Sequence, residues 1–136
     1  MRAHNREVGD ARQLTGYMYK SGAEPLGGSL YWRGRDDLSE RLVRLGGDRP
    51  FLHITLSLPE GTRASDSVAL RMIATELSHR GVDPHAIPWA AVRHTDRGCD
   101  HFHVAVTQVT CLGRPVDLNL TCAQSHANDR KLRAIF

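Results

Sequence analysis

The chain contains no apolar run approaching the ~20 residues that a helix needs to cross a bilayer. Its first ten residues, MRAHNREVGD, hold no apolar stretch of the kind that marks a secretory signal. Cysteine is scarce. Cys99, Cys111 and Cys122 form no C-x-x-C pair and are odd in number, which argues against a disulfide framework and for a reducing cytoplasm. Lysine is nearly missing: of 18 basic residues, only Lys20 and Lys131 are not arginine. No tyrosine follows Tyr31. There is no internal repeat, low-complexity tract or linker, so the 136 residues read as one domain over 1–136 with a single core.

What is present is an ordinary globular mixture, 40% hydrophobic and 24% charged, with a net charge of +3. A charge of +3 is weak evidence for a polyanionic partner, but the arginine bias suits forked contacts to phosphate. Residues 1–9 are polar and read as loose. Ala11, Leu14 and Met18 fall at helical spacing and predict a short helix over 11–20, with Tyr17 and Tyr19 at its end. A short strand is expected at Ser29–Trp32. A helix capped at Asp36 or Asp37 follows, running to Leu45 with leucines on one side. FLHITLSL, residues 51–58, is the cleanest strand: Leu52, Ile54, Leu56 and Leu58 take one face, and Phe51, His53, Thr55 and Ser57 the other. A lone His53 is most simply a satisfied sheet residue. Ser65 or Asp66 caps a helix to about Arg80, and Thr121 with Gln124 forms a capping box for a last helix. A further short strand is expected over Pro115–Leu118.

The densest chemistry lies in IPWAAVRHTDRGCDHFHVAVTQV, residues 88–110. Trp89–His94 and a segment from His101 to about Val109 read as strands joined by a polar turn containing Gly98. Strand alternation puts His101 and His103 on one face and Phe102 and Val104 on the other, and a hairpin lays His94 across from that pair. Three imidazoles on one face form a site for a divalent metal with open coordination positions. Asp96 is placed to accept the spare ring N–H of a ligand histidine. A structural zinc site using Cys99 is the competing arrangement. Strands alternating with helices, but closed by an antiparallel hairpin, predict an α+β fold: a mainly antiparallel central sheet with helices packed on one face.

These residues resemble the relaxase/mobilization nuclease family of the HUH endonucleases, in which two histidines flank one hydrophobic residue. Here that motif is His101-Phe102-His103, preceded by the H-T-D signature as His94-Thr95-Asp96. FLHITLSLPEG is similar to the family's apolar strand and turn, and Tyr17-Met18-Tyr19-Lys20-Ser21-Gly22 fits its Y-x-x-[RK]-x-G setting for a tyrosine nucleophile. The resemblance covers roughly residues 12–135. Such proteins commonly open with a strand before the tyrosine helix and carry long C-terminal regions. The expectation is therefore an excised catalytic domain, a minimal relaxase or a degenerate relative.

The resemblance implies site- and strand-specific DNA nicking and rejoining for plasmid or mobile-element mobilization. Tyr17, with Tyr19 as second choice, would attack the scissile phosphate to give a 5′-phosphotyrosyl intermediate. His94, His101 and His103 would hold the metal. Magnesium or manganese would serve in use, with zinc, cobalt or nickel fitting by ligand type. Arg93, Arg97 and Arg114 would grip flanking phosphates. The implied partners are single-stranded DNA at an origin of transfer and an accessory origin-binding protein, with no membrane. Two other classes stay open. One is a relaxase-like domain that binds single-stranded DNA without cutting. The other is a metal-free two-histidine phosphoesterase built on His53-Ile54-Thr55, for which the second copy, His103-Val104-Ala105, lacks the hydroxyl. Rolling-circle initiators and single-strand transposases place the tyrosine after the histidines, and chain order disfavours them.

Overall fold

The structure is a computed structural model that describes residues 2–20, 22–95 and 98–136. Among these residues the elements run β1 (Arg2–Val8), α1 (Ala11–Met18), β2 (Glu24–Gly28), α2 (Gly34–Gly46), β3 (Phe51–Ser57), α3 (Asp66–His79), β4 (Trp89–His94), β5 (His101–Val106) and α4 (Cys122–Ile135). The strands form one five-stranded sheet in the order β1-β3-β5-β4-β2, and all four neighbouring pairs are antiparallel. The fold is α+β, as the element pattern predicts.

Alternation along each strand separates two cores. Leu52, Ile54 and Leu56 of β3, Trp89 and Ala91 of β4, and Phe102, Val104 and Val106 of β5 pack under α3 and α4. On the other face Phe51, Ala90, Val92 and Ala105 meet Ala11, Leu14 and Met18 of α1 and Leu38 and Leu42 of α2. The expectation of helices on one face holds for α3 and α4, which cover the first, but not for α1 and α2. The second carries α1 and α2 over one end, and the histidines continue that face beyond them. Ala90 and Ala105, both fully buried, keep the sheet surface low where α1 lies on it.

Two strands differ from expectation. Residues 2–8 are not loose: they form β1, an edge strand in full register with β3 from Arg2↔Ser57 to Val8↔Phe51. Local propensity is poor here, but the backbone groups along β3 need partners and β1 supplies them. Its outer edge is held by α4, where Asp129 Oδ1 accepts from Ala3 N (3.1 Å), and by Asn5 bonding to Asn119 (2.7 Å). Ser29–Trp32, expected as a strand, is not one; the strand lies just before it, as β2. Gly28 lies at φ 146°, and a Cβ there would overlap the Trp89 carbonyl, so glycine is required where β2 leaves β4. Residues 115–118 form only an isolated bridge, Val109↔Pro115, because Gln108 and Arg49 take backbone groups a strand would use. Ser65 caps α3, and Thr121 with Gln124 forms the capping box of α4, both as predicted.

Candidate metal and DNA-cleavage site

The β4–β5 hairpin pairs His94 directly with His101, and His103 lies opposite Val92 on one side and Thr55 on the other. The rings of His94, His101 and His103 converge, with centroids 4.3–5.4 Å apart. Each offers one ligand nitrogen within 4.8 Å of the others. Three nitrogens at about 2.0–2.1 Å from one ion would sit closer than that, so the rings would turn inward to hold one. Cys99 is not in this group.

One tautomer is fixed by the structure. His94 Nε2 lies 2.6 Å from the carbonyl oxygen of Met18, and a carbonyl only accepts. A neutral His94 therefore carries its proton on Nε2 and leaves Nδ1 with a lone pair for a metal. Met18 is the last residue of α1, where helix carbonyls lack intrahelical partners. Its carbonyl supplies the kind of orienting acceptor that sequence reasoning sought in Asp96. Asp96 and Arg97 lie outside the described residues.

α1 starts where Asp10 caps it, accepting from Arg12 N (2.8 Å), and Leu14 and Met18 anchor it to the sheet. Tyr17 is consequently 40% exposed on the histidine face. Its ring stacks on His53 (centroids 6.1 Å apart, planes at 26°), and the Arg6 guanidinium carbon lies 4.3 Å from its centre. Hydrogen bonding and positive charge from Arg6 hold the Tyr17 hydroxyl below its ordinary pKa of 10.0, with smaller help from Gln13 and Lys20. Tyr19 turns the other way. It packs against the α1–α2 core, and its hydroxyl accepts from the Trp32 indole N–H (2.7 Å).

His53 is more than a filler of the sheet. Its Nε2 lies 2.8 Å from His103 Nδ1, and Arg6 Nε donates to its Nδ1 at 3.4 Å. Burial pushes His53 down to about 4, and positive charge on Arg6 and His94 adds to the effect. A chain of contacts thus runs from Tyr17 and Arg6 through His53 to His103. Arg6 was invisible in the sequence because nothing marks residues 1–9 as a strand. Once β1 is in register, Arg6 stands opposite His53.

The arginines expected near the hairpin separate. Arg93 points to the opposite face and is buried, bonding Asp100 through Nη1 and Asp66 Oδ1 through Nη2 (2.8 Å), so it ties the hairpin to the start of α3. Arg114 is exposed in the turn beyond the far end of β5, away from the histidine end of the hairpin. Among the described residues no helix is long and apolar enough to cross a membrane.

Comparison with curated proteins and with solved structures found no match to the chain. A family model does match, "Relaxase: MobA/VirD2-like, nuclease domain", over residues 32–134. That segment contains His53 and the three converging histidines, while Tyr17 and Arg6 precede it. Most of the chain is thus matched, and the protein belongs to the relaxase family through its MobA/VirD2-like nuclease domain.

Proposed function

We propose that this chain nicks and rejoins one DNA strand at an origin of transfer, with Tyr17 as the nucleophile. The supporting observation is the approach of an exposed phenol to three convergent imidazoles: Tyr17 stacks on His53, which bonds His103. The Tyr17 oxygen attacks the scissile phosphorus in line, the P–O3′ bond breaks, and the phenol's proton passes to solvent while the departing 3′ oxygen gains one. The products are a 5′-phosphotyrosyl strand and a free 3′-OH, and the reverse reaction reseals them.

Arg6 lowers the cost of deprotonating Tyr17 and is placed to meet a phosphate beside it. His94, His101 and His103 would hold a divalent ion, magnesium or manganese in use, with zinc, cobalt or nickel admitted by ligand type. Such an ion would supply charge stabilisation to the scissile phosphate, worth several kcal/mol or so. Single-stranded DNA is the partner, with an accessory protein opening the origin. Arg97 is assigned to a phosphate flanking the cut, Arg114, beyond the far end of β5, to one farther along the strand, and Asp96 to the support of a histidine ligand.

The test is adduct formation on a single-stranded oligonucleotide carrying the nick site, in the presence of manganese. Wild type and Tyr19→Phe should form a covalent adduct that survives denaturing electrophoresis. Tyr17→Phe should bind manganese and DNA normally yet form none. An adduct in Tyr17→Phe, or its loss in Tyr19→Phe alone, would reverse the assignment. DNA binding without any adduct in the wild type would favour the non-cutting alternative.

A further inference from the structure

We propose that His53 is a positioning residue for the histidine cluster: its hydrogen bond to His103 orients that ring toward a cation, and loading the site reverses the Arg6–His53–His103 chain and releases Arg6. This rests on the metal reading of His94, His101 and His103.

The donors along the chain can be read from its ends. Arg6 Nε can only donate, so His53 Nδ1 accepts. A neutral His53 then carries its proton on Nε2 and gives it to His103 Nδ1 across 2.8 Å. A neutral His103 so bonded holds its own proton on Nε2. With Nδ1 engaged by His53, Nε2 is the atom left to face a metal, and a ligand nitrogen must offer a lone pair. Binding therefore requires the opposite polarity. The shared proton moves from His53 Nε2 to His103 Nδ1, the His103 Nε2 proton leaves to solvent, and His53 takes one proton on Nδ1. One proton leaves and one arrives, so both rings stay neutral. His53 Nδ1 then becomes a donor and no longer accepts from Arg6.

The position of Arg6 gives this reversal a use. The guanidinium that His53 lets go already lies over the Tyr17 ring, 4.3 Å from its centre. It already bonds the phenol oxygen, and release from His53 on metal loading leaves it to that oxygen and to the phosphate arriving beside it. The chain thereby links readiness of the cation site to readiness of the tyrosine, through β1, β3 and β5 at the register Arg6↔His53 and Thr55↔His103. Arg6 and His53 stand on neighbouring strands of one sheet, so the geometry does not depend on a mobile loop.

Two substitutions separate a hydrogen bond from packing. His53→Phe keeps a ring between Tyr17 and His103 but removes both nitrogens. His53→Gln keeps a polar group able to reach His103 Nδ1. Cobalt(II) is the probe, followed by calorimetry and by its visible absorption, with thermal melting of each metal-free variant as a control for folding. His53→Phe should weaken cobalt binding by about 10–100-fold and alter the absorption band, while His53→Gln restores most of the affinity. Unchanged affinity in His53→Phe, or equal loss in both variants, would overturn the positioning role. If the wild type binds no cobalt, the three-histidine site itself is refuted and this inference with it; if it binds and only the His53 variants behave as wild type, the site stands and the inference falls. Imidazole 15N spectra read the reversal directly. On adding zinc, the His53 proton should move from Nε2 to Nδ1, and retention on Nε2 would refute the release of Arg6.

Discussion

The two faces of β5 come from alternate residues of one short segment and have opposite characters. Phe102, Val104 and Val106 point into the core beneath α3 and α4 and are fully buried. His101 and His103 point the other way, into a polar cluster that continues the α1–α2 face. The apolar face is held by area removed from water and tolerates no change of volume. The polar face is held by a few directed contacts: Met18 to His94, His53 to His103, Arg6 to Tyr17. One strand can therefore be damaged in two separable ways, in its fold or in its chemistry.

The sharpest separation comes from His101→Ala. On the proposed metal reading, loss of one of three ligands should lower cobalt or manganese affinity, and the proposed cleavage with it, by about 100-fold or more. Melting temperature should change little, since His101 is outside both apolar clusters. Tight metal binding in this variant would break the comparison outright. The neighbouring Phe102→Ala should do the reverse. It empties a fully buried site and should cost about 3–5 kcal/mol in denaturant unfolding, while the fraction that stays folded binds metal normally. Lost metal affinity at wild-type stability would show that the two faces are not separable.

A smaller effect is expected at Arg6→Gln. Because Arg6 depresses the Tyr17 pKa, phenolate forms in the wild type at a lower pH than in free tyrosine. Removing the guanidinium raises that pKa, so the alkaline rise in adduct formation should move to higher pH. Below both values the rate should fall about tenfold for each unit moved. A pH profile with the same midpoint as wild type would detach Arg6 from the tyrosine. The mildest change is Tyr19→Phe. It removes the acceptor of the Trp32 indole N–H and should cost about 1 kcal/mol of stability, with adduct formation unaltered.

The polar hairpin was legible in the sequence because strand alternation and a short turn leave few choices for His94, His101 and His103. The core face of β3 and the caps of α3 and α4 were legible for the same reason, each being set by residues close in sequence. β1 was not. Its segment has no apolar alternation, and it becomes a strand only because β3 offers an unpaired edge and α4 brings Asp129 to hold it. Arg6 was lost with it, and so was the role of His53, whose partners stand 47 and 50 positions away. Arg93 misled because its position in the hairpin is polar by sequence, while its side chain goes through the sheet plane to Asp100 and Asp66. Met18 could not be found from residue type at all, because its contribution is a backbone carbonyl.

That carbonyl has a consequence for any attempt to transplant the chemistry. Tyr17 and Met18 are consecutive, so the phenol and the acceptor that sets the His94 tautomer ride on the same turn of backbone. Sliding α1 by one residue would rotate it by about 100° and displace both together. Grafting the histidine hairpin onto a scaffold without α1 would leave His94 free to place its proton on either nitrogen. Moving the tyrosine to another element, with α1 left in place, would keep the tautomer but lose the phenol's address. The portable unit is the hairpin together with the end of the first helix.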